Sequence, residues 1–142
     1  MENIETLQHL VDYGVIVLLV IMSFIAVFFF IERIIFYKNI DIKSYKNKKH
    51  LDIALTKHLT IIGTIASNSP YIGLLGTVLA IMLTFMNMGN GDIEAAKIME
   101  SLALALKATA VGLVVAIISM VFYNILSRYV EVTESLYEAE EI

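Results

Sequence analysis

Two threonines, Thr77 and Thr109, lie inside runs of apolar residues long enough to cross a bilayer, and each belongs to a stripe of small side chains. Steps of three and four from Ser101 pass through Ala105, Thr109, Gly112, Ala116, Ser119 and Tyr123. The same steps from Gly73 pass through Thr77, Ala80, Thr84 and Asn87. Lipid gives a helix no hydrophobic reason to keep such a face, so both stripes are expected to meet protein or a wet cavity. Two chemistries fit. In one, the stripes only pack: small residues let backbones approach, and each threonine bonds its own i−4 carbonyl. In the other they wall a hydrated path, where a hydroxyl donates or accepts and so serves a carboxyl group in either protonation state.

A proton path needs an ionisable relay in the membrane. No charged residue lies between Ser69 and Asn87, and Lys107 is the one charge between Ser101 and Asn124. A relay along these stripes must therefore come from another chain. Enzyme chemistry has little to stand on. His9, His50 and His58 are scattered, no His, Asp and Glu cluster has ligand spacing, and no phosphate loop or nucleophile motif is present. The chain has no Cys, which excludes disulfides and thiolate sites. No enzyme activity, metal or cofactor is expected.

The elements that must hold these residues are membrane helices. At 142 residues, 58% hydrophobic, with a mean hydropathy of +0.79, the chain exceeds the ~45–50% apolar share of soluble domains. It reads as one all-α membrane domain, 1–142, with spans at 13–36, 68–88 and 95–127. The start carries Glu2, Glu5 and Asp12 and no Lys or Arg before Arg33, so the first apolar run reads as a retained anchor after a short amphipathic surface lead-in, 1–12. Glu32 and Arg33 are expected to snorkel or pair at the membrane edge.

Segment 38–60 holds Lys38, Lys43, Lys46, Lys48, Lys49 and Lys57, six of the ten cations. The positive-inside rule makes it a cytoplasmic loop. Its basic character is a topology signal, and no nucleic acid partner is expected. From about Lys48 the spacing of Leu51, Leu55, Leu59, Ile62 and Ala66 predicts a helix running into the second span, which Pro70 should start or kink. The turn Met86–Asp92 returns the chain as a hairpin, and the third span begins near Ile93. The N-terminus is thus expected outside and the acidic tail, 128–142, inside.

An apolar stripe of Tyr129, Val132, Leu136 and Ala139 continues past Arg128, predicting that the second and third helices project together into the cytoplasm. If Thr77 and Thr109 lie at one depth, antiparallel counting sets Gly73 against Gly112–Leu113, Lys57 near Tyr129–Glu131, and Lys48–Lys49 near Glu138. Exposed pairs of that kind contribute only ~0–1 kcal/mol each, so they fix register more than stability.

The segments SPYIGLLGTVLAIMLTF (Ser69–Phe85) and ALKATAVGLVVAIISMVFYNILSR (Ala105–Arg128) resemble the paired signature of the ExbB/TolQ/MotA proton-channel family. That signature is a GL-x-GTV block on one helix and an ATA-x-GL-x-x-AI block on the next. The resemblance implies a homo-oligomeric ring, five subunits in ExbB, around transmembrane helices of a one-span ExbD/TolR-like partner that carries a membrane-embedded aspartate. It also implies a TonB-like periplasmic protein that receives the force, an inner-membrane location, and Thr77 and Thr109 on the inner wall. Three spans and a short loop favour an ExbB role, energising outer-membrane uptake, with a TolQ role in the Tol-Pal system as the alternative. A non-conducting helical scaffold is the reading from another class, and dependence of conduction on a partner separates it. Two departures stand out. Leu104 occupies the place where the family has an acid, and Lys107 lies about 160° from Thr109 at 100° per residue, pointing away from the presumed lumen.

Overall fold

The computed structural model describes residues 2–89, 91 and 94–141, with the side chains of residues 2 and 141 set aside. Three long helices form the bundle: α1 (Glu2–Asn39), α3 (Leu59–Met88) and α4 (Ala95–Glu141), each long and apolar enough to cross a membrane. Between α1 and α3 lie a 3-10 turn (Ile42–Ser44) and a short helix, α2 (Lys48–Thr56). The all-α class with three membrane helices is thus observed. Parts of the hairpin expected over Met86–Asp92, namely Asn90 and Asp92, lie outside the described residues, as does Ile93.

Three local expectations need correction. The lead-in is not a separate surface segment. With no Gly or Pro before Gly14 to stop it, residues 2–12 continue α1, and Gln8 Nε2 donates to Thr84 Oγ1 at 2.8 Å.

Within segment 38–60 a helix does begin at Lys48, as the spacing predicts, but it does not run unbroken into the second span. Asn47 caps α2 by accepting from the His50 N–H at 2.9 Å, and α2 stops at Thr56. At His58 the backbone turns left-handed, φ 73°, which costs a non-glycine residue about 1–2 kcal/mol. The imidazole stacks on Phe29 with ring centroids 4.5 Å apart, which helps hold the break. Only beyond it does α3 begin, at Leu59, and it then runs through Pro70 without ending.

The third correction is the tail. Val130 and Tyr137 are the buried positions, 7% and 6% exposed, while Val132 is 39% exposed and Tyr129 and Leu136 are exposed as well. The reason is continuity of one face. Ala105, Ala108, Gly112, Val115, Ser119, Leu126, Val130 and Tyr137 are all buried and recur at steps of three, four and seven. The face that α4 turns to the bundle along its apolar run goes on to meet α2.

That lower core joins Leu51, Leu55, Leu59 and Ile62 to Tyr37, Leu126, Val130 and Tyr137. Arg33 fastens it. Only 2% exposed, it holds Glu32 with two bonds of 2.6 and 2.7 Å and donates to the Ala54 carbonyl at 2.8 Å. Its guanidinium also lies 4.3 Å from the centre of the Phe36 ring. The expected Glu32–Arg33 pair is present, but Arg33 turns inward and clamps α2 to α1 while Glu32 stays partly exposed. Lys48 Nζ reaches Glu138 at 2.6 Å, the neighbour that antiparallel counting gave. Cysteines placed at Leu55 and Val130 in the otherwise Cys-free chain should therefore be bridged by a short bis-maleimide. The Leu55 and Val132 pair should react poorly, which a gel-shift assay on membranes would read.

Candidate functional site

The two small-residue stripes face each other. Along the α3–α4 seam the backbones come close enough that a methyl on Gly112 would sit 2.6 Å from the Ser69 carbonyl oxygen and 3.1 Å from the Gly73 Cα. A methyl on Gly73 would sit 2.6 Å from the Ala108 oxygen. The sequence places Gly at both points because no other residue permits this approach. Ala80, Ala105, Ala116 and Ser119 are buried along the same line. The packing half of the two chemistries is thereby observed within the chain.

The seam also brings Thr77 and Thr109 together, and their hydroxyls hydrogen-bond directly. A hydroxyl has one hydrogen and two acceptor positions, which fixes the order of the chain. Thr77 Oγ1 is 2.7 Å from the Ala105 carbonyl and 3.2 Å from its own i−4 partner, Gly73. Donating to the nearer Ala105 carbonyl, Thr77 must accept from Thr109. In that order Thr109 donates to Thr77. The Gly73 carbonyl, 3.5 Å from Thr109 Oγ1, is the alternative target for its hydrogen. The two residues are not equivalent: Thr77 is buried, 6% exposed, and the half-buried Thr109 stands at the open edge of the seam. Spacing alone put them on one wall without that order.

The other candidates separate from this pair. Thr84 is buried, accepts from Gln8 and donates to the Ala80 carbonyl at 2.9 Å. With half-buried Asn87 it lines a cavity of about 590 Å³ at the opposite end of the bundle from α2, shared with Gln8, Asp12, Ser101 and Leu104. Leu104, at the place of the family's acid, is thus a wall residue of that cavity. Ser119 lies sealed in the seam, 1% exposed. Lys107 is exposed, on the far side of α4 from Ala105 and Thr109, as the helical angle indicated. Pro70 lacks an N–H, leaving the Ala66 carbonyl without its helical partner. Side chains cover neighbouring carbonyls: Ser69 donates to Ile65 at 2.5 Å, Asn68 to Thr64 at 2.8 Å and Ser67 to Gly63 at 2.8 Å. Gln8 is the residue the sequence reading missed; an uncharged amide among acids just ahead of an apolar run was its only signal.

Chemically, the edge at Thr109 offers an acceptor to a protonated carboxyl group. It offers a donor to the same group once ionised, if the Thr109 hydrogen swings away from Thr77.

Comparison with known proteins shows the family. Residues 30–139 match the MotA/TolQ/ExbB proton channel family. The biopolymer transport protein ExbB of Aquifex aeolicus is 48% identical over 97% of this chain and 93% of its own length. That of Helicobacter pylori strain J99 is 50% identical over 89% of this chain and 88% of its own length.

Proposed function

The chain belongs to the MotA/TolQ/ExbB proton channel family and is a multi-pass protein of the inner membrane, and from that premise we propose that it is the ring-forming channel subunit of an ExbB-type motor. In this reading five copies surround the transmembrane helices of a one-span partner. Protons cross on that partner's membrane aspartate, and the movement is passed to a TonB-like protein that energises outer-membrane uptake. The N-terminus then lies in the periplasm, and α2 and the end of α4 lie in the cytoplasm.

The observation that carries the reading is the Thr77–Thr109 pair. Its outer member, Thr109, is a half-buried residue whose hydroxyl bonds to Thr77, and no charged residue lies between Ser69 and Asn87 on α3. Such an edge can solvate a titrating carboxyl group but cannot carry a proton across by itself. The subunit catalyses no reaction. Its work is to position and hydrate a charge for which crossing the potential is worth ~2.3 kcal/mol per 100 mV.

Reconstituting the chain in liposomes, with and without a one-span partner, tests this. With the partner, a pH-sensitive dye should report proton entry that stops when the partner's aspartate is replaced by Asn. The chain alone should leave the vesicles tight. No proton entry in either preparation would favour the scaffold reading, and equal leakage in both would mean that the partner's aspartate is not the carrier.

A further inference from the structure

Below the membrane helices one carboxylate is badly placed for a charge. Glu134 of α4 has its Oε1 buried with no hydrogen-bond partner, and a buried oxygen left so demands an explanation. It faces α2 across a cavity of about 410 Å³ lined by Lys48, Lys49, Asp52 and Ile53. The groups that act on it come from both elements: Asp52 and Lys48 of α2, and Glu138 of α4. Lys48, the cation that could neutralise it, is engaged by Glu138 at 2.6 Å. Glu134 therefore meets Asp52 as one acid meeting another, at a contact that the apolar seating of Leu51 and Leu55 holds together.

We propose that Asp52 and Glu134 form a proton-operated clip: one proton shared between the two carboxyl groups holds α2 on α4, and its loss to water releases that hold. With the proton present, a carboxyl O–H donates to the facing carboxylate, and the partnerless oxygen belongs to a neutral group. With the proton gone, two like charges face each other in a cleft where Lys48, the cation that acts on Glu134, is already paired with Glu138. Burial, then the Asp52 carboxyl opposite, push Glu134 up to about 7, near neutral pH.

The direction of the effect follows from linkage. Released from the contact, Glu134 returns to its ordinary value, 4.5. Between 4.5 and about 7 the docked form binds more protons than the released one, so docking weakens as pH rises, by up to about tenfold per pH unit. Docking is complete at the acid end, and above about 7 the loss levels off. That the clip reads the cytoplasmic proton level rests on the topology proposed above; the clip itself does not.

Amide hydrogen exchange of Lys48–Thr56 in the full-length protein, embedded in nanodiscs and corrected for intrinsic rates, reads the clip directly from pH 5.5 to 8. Protection should fall several-fold between pH 5.5 and 7 and then flatten. In Glu134→Gln, whose amide can donate to Asp52 at every pH, protection should stay high and level. Asp52→Asn, which removes the facing acid and leaves the burial of Glu134, should give a clearly shallower slope than wild type, which separates a shared proton from any other titration. A flat wild-type profile, or one that keeps its slope in both variants, overturns the clip. Neither result depends on proton flux, so the channel reading would stand or fall separately.

Discussion

Replacing Thr109 by Val should cut partner-dependent proton flux by about ten- to a hundredfold while leaving ring assembly and partner binding in place. Val keeps nearly the shape of Thr and removes both donor and acceptor. At the edge of the α3–α4 seam that deprives a passing carboxyl group of a hydrogen bond in a poorly hydrated place, worth ~1–3 kcal/mol, and each ~1.4 kcal/mol is a factor of ten in rate. Thr77→Val should do less. Thr77 lies behind Thr109 and donates to the Ala105 carbonyl, and without it Thr109 can re-aim its hydrogen at the Gly73 carbonyl 3.5 Å away. Thr109→Ser, which restores the hydroxyl, should recover most of the flux. Liposome flux assays on the three variants decide the matter. Equal, full activity in all of them would mean that the pair serves packing only.

The second large effect belongs to the backbone contact beneath that pair. Gly112→Ala puts a methyl 2.6 Å from the Ser69 carbonyl oxygen, and Gly73→Ala puts one 2.6 Å from that of Ala108. Backbone oxygens in the middle of helices cannot rotate aside, so the helices must part, and overpacking of this kind costs ~1–3 kcal/mol. Parting them also stretches the Thr77–Ala105 bond, so one methyl should lower both thermal stability and flux. The double variant should fail to yield folded protein. Two controls isolate the cause. Gly76→Ala meets the end of the Val15 side chain at 2.9 Å, which can turn away, and Gly14→Ala meets nothing within 4 Å. Melting in detergent should place Gly14→Ala at wild type, Gly76→Ala slightly below it, and Gly73→Ala and Gly112→Ala far below. Similar melting for all four would mean that the seam is not tight.

The contrast between what could and could not be read in the residues follows the same physics. The seam was legible because lipid selects against small polar faces, so Gly73, Thr77, Thr109 and Gly112 stood out against Leu, Val and Ile. Antiparallel counting from Thr77 and Thr109 also placed Lys48 beside Glu138, although the break at His58 interrupts the helix that the count assumed. The break at His58 was not legible. A left-handed histidine has no sequence signal of its own, and what stabilises it is a ring on another helix, Phe29. The buried face of the tail was missed because Tyr129, Val132 and Leu136 form as good an apolar stripe as Val130 and Tyr137. Only the position of α2 chooses between them. The pairing of Arg33 with Glu32 was legible, but its burial was not, because nothing local reveals that the Ala54 carbonyl will be there to receive it.

The close α3–α4 contact has a mechanical side. Two helices whose backbones touch at Gly73 and Gly112 have few flexible side chains between them to absorb a displacement, and α4 runs unbroken to Glu141. From Thr109 to Tyr137 is about 42 Å at ~1.5 Å per residue. A tilt of about 5° imposed at the level of the threonines would therefore swing the tail by roughly 4 Å at Tyr137. The geometry is that of a lever whose short arm lies at the hydroxyl pair and whose long arm ends against α2, so that a small rocking in the bilayer arrives magnified on the far side.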